Sequence, residues 1–436
     1  MSLSARVRST LSNAFVRAVV VVASGTAGAQ LIALAATPLV TRLYGPEAFG
    51  TMGAFMAVVA VIAPIAALTY PTAIVIQPDD TRAVRVGQLS LMLAAGLAVL
   101  IVLALITVRL FGLDIQVLDA VLAFGYLIPI VVFFSIARDV GLQWIIRKQS
   151  FGLMARAAVI QATLLHGAKV VGGFAAPYGF TLVSIAAIGP LVHAALLYLG
   201  IRRNRQVWPS REAQPTEHVT LREVAALNSD FPRFRAPQTL VNRLSQSLPV
   251  IMLLSLFGPT EAGYFTAVIA LLNAPVALLG KSVEDAFYPR VAEIVRRGAS
   301  PSSAILRATV LLAAAAFLPF AALVAFGPAV LPTILGGEWT GAGAYTSWLA
   351  AWTFFVLVGR PSLAAIPPLR LQRQGLWVAV LSLALRALSV LVGALGFGSD
   401  LVAVALFSLS GVVTNLVLVV LVAHASVGYS GTGRVK

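Results

Sequence analysis

The amino-acid sequence predicts an all-α protein that crosses a membrane about 12 times. Of its 436 residues, 59% are apolar and 11% are charged, whereas an average soluble domain has about 25% charged residues. Apolar runs long enough to span a bilayer recur from one end of the chain to the other. The composition excludes a soluble globular chain, because too few polar residues remain to cover its cores, and it excludes a disordered chain.

Each predicted span follows from the rule of roughly 20 apolar residues per transmembrane helix. The approximate cores are 17–41, 49–76, 87–108, 118–137, 152–173, 179–200, 236–257, 263–288, 304–326, 343–360, 375–396 and 401–423. The N-terminus resembles a signal peptide, with Arg6 and Arg8 before an apolar stretch. Because that stretch continues to Val40, we expect it to be retained as the first span.

The distribution of basic residues predicts the orientation of these spans. The chain has 31 Lys and Arg against 16 Asp and Glu, a net charge of +15. If both termini are cytoplasmic, 22 of the 31 basic residues fall on that side, and only Arg42 and Arg109 fall on the other. Basic residues favour cytoplasmic loops and anionic headgroups. The positive charge is therefore explained by membrane topology, without a nucleic-acid partner.

Motifs for catalysis or cofactor binding are not recognisable in the sequence. Cysteine is absent, and the four histidines lack the spacing of metal ligands. Gly280-Lys-Ser282 resembles the end of a phosphate-binding loop, but Pro275 stands where that loop needs glycine. No Asp-x-Asp pair suits a metal-dependent sugar transferase. We therefore expect a protein without cofactor or metal, although a catalytic constellation scattered over several spans remains an alternative.

The chain divides near its midpoint. Its longest polar segment predicts a cytoplasmic linker at 201–235 between six-span bundles at 1–200 and 236–436, and Thr220-Leu-Arg-Glu223 predicts a capped short amphipathic helix within it. Leu43-Tyr-Gly-Pro-Glu-Ala-Phe-Gly50 recurs as Leu256-Phe-Gly-Pro-Thr-Glu-Ala-Gly263, and Arg147-Lys-Gln149 is echoed by Gln372-Arg-Gln374. A parallel repeat of this kind predicts a substrate cavity between two bundles. A duplication without transport is the alternative.

Polar residues at helical spacing mark one face of the seventh span. They are Arg235, Gln238, Thr239, Asn242, Ser245 and Gln246, and Pro249 continues the same spacing. A stripe over three turns is unfavourable toward lipid and indicates a polar cavity. Hydrogen bonding between helices is the alternative, and it accounts best for Ser245.

The eighth span carries a second polar face. Lys281, Glu284 and Tyr288 lie at i, i+3 and i+7, with Asp285 beside Glu284. A structural Lys281–Glu284 ion pair is the alternative to a functional site. Seven basic residues fall within or near predicted spans, where charge is costly and usually faces a cavity; they are Arg17, Arg156, Lys169, Arg243, Lys281, Arg307 and Arg386. Arg17, Arg156 and Arg307 can instead extend to the headgroups.

Several motifs together resemble bacterial polysaccharide-biosynthesis flippases. They are Asp230-Phe-Pro-Arg-Phe-Arg-Ala-Pro-Gln238, Asn242-Arg-Leu-Ser-Gln-Ser-Leu-Pro249, Ala262-Gly-Tyr264, Ala286-Phe-Tyr-Pro-Arg290, Thr41-Arg-Leu-Tyr-Gly-Pro46 and Gln143-Trp-Ile-Ile-Arg-Lys-Gln149. The resemblance covers essentially the whole chain. It is to the O-antigen and capsule oligosaccharide flippases of the multidrug/oligosaccharidyl-lipid/polysaccharide exporter superfamily.

The resemblance implies two six-helix bundles around a V-shaped central cavity and transport by alternating access. The implied substrate is an undecaprenyl-diphosphate-linked oligosaccharide, moved across the bacterial inner membrane, and the polysaccharide polymerase machinery is a candidate partner. The basic cavity residues that it implies are Arg17, Arg42, Arg243 and Lys281. Asn242 and Gln246 suit sugar hydroxyls, and Glu284 and Asp285 are expected to couple transport to a proton or another cation.

Two other functions remain open at this stage. A multidrug exporter of the same superfamily would favour an acidic or aromatic cavity, whereas the candidates here are mostly basic. A membrane-embedded glycan polymerase or glycosyltransferase would need catalytic groups, and the short outer loops and the missing metal motifs disfavour it.

Overall fold

The computed structural model describes residues 14–111, 123–204, 206–208, 219–427, 429–430 and 434–435. Their α-helices, in chain order, are α1 (Ala14–Ala66), α2 (Asp80–Leu110), α3 (Ile128–Arg147), α4 (Phe151–Ala175), α5 (Gly179–Arg203), α6 (Leu221–Leu227), α7 (Ala236–Leu256), α8 (Pro259–Arg296), α9 (Ser302–Leu335), α10 (Thr340–Val358), α11 (Arg360–Ala365), α12 (Gln372–Leu391) and α13 (Asp400–Val427). Short 3₁₀ or π turns occupy Tyr70–Ile76, Gly125–Leu127, Phe231–Arg235, Gly337–Trp339 and Val392–Gly396. Two short strands, β1 (Tyr429–Ser430) and β2 (Arg434–Val435), pair antiparallel near the C-terminus.

The prediction of a polytopic all-α membrane protein is confirmed. Within the described ranges, ten helical stretches are long and apolar enough to cross a membrane. One of them, 24–66, covers most of the first and second predicted spans. α7 is not among the ten, because its polar stripe lowers its hydropathy. If the stretch 24–66 is counted as two spans and α7 is added, the ten stretches become the twelve spans that the sequence predicts. Large apolar side chains lie exposed along these helices, as lipid-facing residues do; Leu110, Leu318 and Leu395 are examples.

The second predicted span ends earlier than expected. The sequence predicts 49–76, but α1 ends at Ala66, and Leu68 and Thr69 then adopt positive φ values of 48° and 59°. Tyr70–Ile76 follows as a 3₁₀ turn with proline in its first turn. The apolar run therefore continues past the point at which the helix ends. The predicted start of the fourth span, 118, lies outside the described residues, and the helix there runs on to Arg147.

The N-terminal unit comprises Met1–Tyr44 and Ala54–Arg243. One of its apolar clusters joins the 3₁₀ turn after α1 to α2, α3, α4, α5 and the segment that follows α5. The predicted linker at 201–235 contributes to it, since Val207 and Val224 are buried there. Its capping box at Thr220 and Glu223 is present, and the Tyr70 hydroxyl donates to the Ala225 carbonyl at 3.2 Å. The described part of the linker is thus packed onto this unit.

The C-terminal unit comprises Gly45–Gly53 and Leu244–Lys436. α9 packs along α10, α12 packs along α13, and α10 also contacts α8 and α13. One apolar cluster joins α8, α9, α11 and α13 through buried residues that include Phe287, Val291 and Ile305. α8 continues through Pro275 and Pro289, and α7 continues through Pro249.

The first sequence echo corresponds to a reciprocal contact inside the C-terminal unit. Gly45 and Gly258 have positive φ values of 70° and 118°, and the next residue in each copy is a proline, Pro46 or Pro259, that opens the helix which follows. A Cβ atom on Gly50 would overlap the carbonyl oxygen of Pro259, and a Cβ atom on Gly263 would overlap that of Pro46. Glycine at both positions therefore allows the two copies of the motif to pack backbone against backbone.

The second echo does not mark equivalent positions, although the region does repeat. Arg147 ends α3, whereas Gln372 begins α12. The equivalent turns precede α4 and α12: the amide of Ser150 donates to the Ile145 carbonyl, and that of Leu371 to the Ile366 carbonyl, each at 3.0 Å. Both turns place a residue with positive φ just before the new helix, Gln149 at 53° and Arg370 at 57°. The likeness between 147–149 and 372–374 was therefore out of register with the structural repeat.

Candidate functional site

The polar stripe of α7 is divided between exposed and inward-facing side chains. Asn242, Arg243 and Gln246 are exposed, and Asn242 and Gln246 lie one turn apart on the same face. Ser245 is half-buried and faces the interior of the C-terminal unit, where its oxygen atoms lie near Arg386. The stripe therefore contributes Asn242 and Gln246 as candidates for ligand binding, and Arg243 lies beside it. Ser245 serves the helix–helix contact that the sequence left as an alternative.

The remaining predicted site residues differ in what can be said of them. Arg42 and Lys281 are exposed on α1 and α8. The side chains of Arg17 and Asp285 lie outside the described residues. Arg42, Asn242 and Arg243 belong to the N-terminal unit, whereas Gln246, Lys281 and Glu284 belong to the C-terminal unit. Their convergence on one substrate stays a prediction.

Glu284 has a cationic partner that the sequence did not indicate. Its Oε1 accepts a hydrogen bond from the Arg360 guanidinium at 2.7 Å, and the two side chains are 28% and 24% exposed. The alternative considered from the sequence was an ion pair between Glu284 and Lys281 on the same helix. The observed partner is 76 residues away, at the start of α11. The fold thus links the polar face of α8 to the segment between α10 and α12.

Arg386 is a buried cation in the interior of the C-terminal unit. Only 8% of the residue is exposed. Its guanidinium lies over the rings of Trp352 and Phe407, with its carbon 4.9 and 5.3 Å from the ring centres. It also donates to the carbonyl and hydroxyl oxygens of Ser245 at 3.5 and 3.4 Å. Cation–π contacts of this kind stabilise an arginine where water is excluded, and they connect α12 to α10, α13 and α7.

The N-terminal unit has its own charged cluster at the start of α2. Asp80 accepts from the Arg147 Nε at 3.0 Å and also pairs with Lys148. The Arg147 guanidinium donates further to the carbonyls of Ile74 and Gln77, at 3.3 and 2.6 Å. Arginine suits this role because its planar donors can serve several acceptors at once. The cluster ties the end of α3 to the 3₁₀ turn after α1.

Comparison with solved structures identifies the fold. An inward-facing multidrug resistance MATE family transporter of the MOP superfamily matches with a TM-score of 0.67 at 16% identity, over 90% of this chain and 93% of that one. A MOP superfamily transporter from Pyrococcus furiosus, described as having a binding pocket of reversed polarity, matches with a TM-score of 0.55 at 16% identity, over 93% and 94%. The chain is therefore a multi-pass membrane protein with the fold seen in MOP superfamily transporters.

The family is shown by sequence. The family model described as "Polysaccharide biosynthesis protein" matches residues 15–295, well over half of the chain. The protein belongs to this family of polysaccharide biosynthesis proteins, in agreement with the resemblance that the motifs indicated. A comparison with curated proteins gave no match.

Proposed function

We propose that the protein is a flippase that moves an undecaprenyl-diphosphate-linked oligosaccharide from the cytoplasmic to the periplasmic leaflet of a bacterial inner membrane. It does so by alternating access, for assembly of a surface polysaccharide such as O-antigen, capsule or exopolysaccharide. One observation carries the proposal: a member of a polysaccharide biosynthesis family exposes basic and amide side chains on its membrane helices. These are Asn242, Arg243, Gln246 and Lys281.

The chemistry of these side chains suits the proposed substrate. A diphosphate carries roughly two negative charges, and Arg or Lys can replace the water that it loses inside a membrane protein. Arg243 and Lys281 supply such charges, with Arg17 and Arg42 as further candidates. Asn242 and Gln246 can hydrogen-bond sugar hydroxyls. The prenyl chain needs no polar partner and can remain in the lipid.

The proposed orientation places both termini and the 201–235 segment in the cytoplasm, because 22 of the 31 basic residues then lie on that side. A Ser210→Cys variant of this cysteine-free chain tests it. We expect the thiol to be shielded from a membrane-impermeant reagent in intact cells and labelled after permeabilisation. Labelling in intact cells would show that the segment lies outside the cytoplasm and would contradict the proposed orientation.

The phosphate-binding role is tested by Arg243→Ala and Lys281→Ala, assayed in proteoliposomes with labelled lipid-linked glycan. Losing one charge-assisted contact should cost about 1.5–3 kcal/mol, or roughly ten- to a hundredfold in affinity, so we expect flipping to fall sharply in protein that stays folded. Arg307→Ala is the matched control, since Arg307 is also an exposed cation on a membrane helix and has no proposed role. Wild-type flipping by both variants would contradict the assignment.

A further inference from the structure

The Glu284–Arg360 pair is built so that the arginine lies along α8. Gly280 precedes Glu284 by one turn, and a Cβ atom on Gly280 would lie 2.8 Å from the Arg360 Nε and 3.2 Å from its Cδ. The absence of a side chain at Gly280 lets the arginine lie close against the helix, and a Cβ atom there would make it shift. The guanidinium therefore lies over Gly280, one turn before Glu284, and its terminal nitrogen reaches the Glu284 carboxylate at 2.7 Å.

The Arg360 guanidinium does not use all of its hydrogen-bond donors in this position. Its Nε is buried and, among the described residues, has no hydrogen-bond partner. A buried donor without an acceptor costs about as much as a lost hydrogen bond. Arginine can bind a phosphate through two parallel donors, which Glu284 does not use here, since one terminal nitrogen alone contacts the carboxylate. The arginine thus has unused capacity for an oxyanion.

A cavity adjoins the pair. It has a volume of about 330 Å³ and is lined by Glu284, Tyr288, Leu363, Ala364 and Pro367. Glu284 therefore borders free space. The pair is also partly exposed, at 24% and 28%, so breaking it does not bury an isolated charge.

We propose that Glu284 is an internal competitor of the substrate for Arg360. The inference rests on the proposed function: a phosphate group that reaches Lys281 takes the Arg360 guanidinium from Glu284, and the released carboxylate turns to the cavity. Arg360 is then a phosphate ligand in the loaded carrier and the partner of Glu284 in the empty one. The exchange makes substrate occupancy alter the link between α8 and α11.

The test is binding of undecaprenyl diphosphate to the purified full-length protein in nanodiscs. Arg360→Gln removes a ligand, so we expect binding to weaken about tenfold or more. Glu284→Gln removes the competitor, so we expect binding to tighten by about two- to fivefold, as the loss of a partly exposed ion pair allows. The opposite signs are diagnostic, because a purely structural pair would lose binding in both variants. Thermal unfolding of each variant is recorded beside its affinity.

Each outcome has a separate meaning. If the wild type binds undecaprenyl diphosphate and both variants weaken, or Glu284→Gln leaves the affinity unchanged, the exchange is overturned and the proposed function stands. If the wild type does not bind this probe, the proposed substrate class fails, and the exchange fails with it. Undecaprenol and inorganic pyrophosphate serve as controls for the lipid chain and for free phosphate. Should Arg360→Gln not fold, the sign of the Glu284→Gln effect decides alone.

Discussion

The two units each pair a carboxylate with an arginine, but the pairs differ in how completely they are satisfied. In the N-terminal unit, Asp80 binds both Arg147 and Lys148, and Arg147 also donates to backbone carbonyls. In the C-terminal unit, Glu284 pairs with Arg360, and the Arg360 Nε lacks a partner among the described residues. The first cluster has little capacity for another ligand, whereas the second has a free donor and an adjoining cavity. The same chemistry therefore supports a structural role in one unit and an exchange in the other.

The largest effect is expected at the N-terminal cluster. Arg147→Ala leaves Asp80 with one cation and removes the donor to the carbonyls of Ile74 and Gln77. Since the Arg147 side chain is only 13% exposed, we expect a loss of about 2–4 kcal/mol and a fall in melting temperature of about 5 °C or more. Arg82→Ala, which breaks the exposed pair with Asp79, is the control and should be nearly neutral. Equal melting temperatures for the two variants would show that the cluster does not stabilise the fold.

A smaller and different effect is expected at Glu284. If its carboxylate is released during transport, it can respond to a proton or cation, so Glu284→Gln should fold normally but lose the dependence of flipping on an imposed pH or sodium gradient. Asp80→Asn should keep that dependence, because Asp80 belongs to the structural cluster with Arg147 and Lys148. The assay uses the fraction of this variant that folds. If Glu284→Gln keeps both the rate of flipping and its gradient dependence, Glu284 has no role in coupling.

The smallest effect is expected at Arg386. A buried cation is costly to desolvate, and its replacement by an apolar side chain of similar size is often neutral or stabilising. Arg386→Met keeps packing against Trp352 and Phe407, so we expect the melting temperature to stay within about 2 °C of the wild type. A large destabilisation would mean that the cation–π contacts carry the helix packing of the C-terminal unit.

The sequence predicted features that depend on local chemistry or on apolar length. The membrane-spanning helices, the capping box at Thr220 and the Gly-Pro motifs at Gly45 and Gly258 were all recognisable in this way. The end of α1 was missed because the chain leaves the helix inside an apolar run, through the positive φ values of Leu68 and Thr69.

The sequence did not indicate features that depend on distant contacts. Arg360 was not among the candidate site residues, and only the packing of α11 on α8 brings it to Glu284, 76 residues away. Arg147 and Asp80 are 67 residues apart, and neither was a candidate for a structural cluster. Arg386 was recognised as an intramembrane cation, but its aromatic surroundings come from two other helices. Patterns along one helix predict which residues share a face, whereas they do not predict what that face contacts.

The central claim is that the protein relocates a lipid-linked glycan without changing it covalently. The direct measurement is a proteoliposome assay with labelled undecaprenyl-diphosphate oligosaccharide, in which leaflet position and product mass are followed together. We predict transfer to the opposite leaflet with the mass unchanged, and no competition from a cationic drug. A product of altered mass would identify a polymerase or transferase, and drug transport without glycan movement would identify a multidrug exporter; either result would contradict the account.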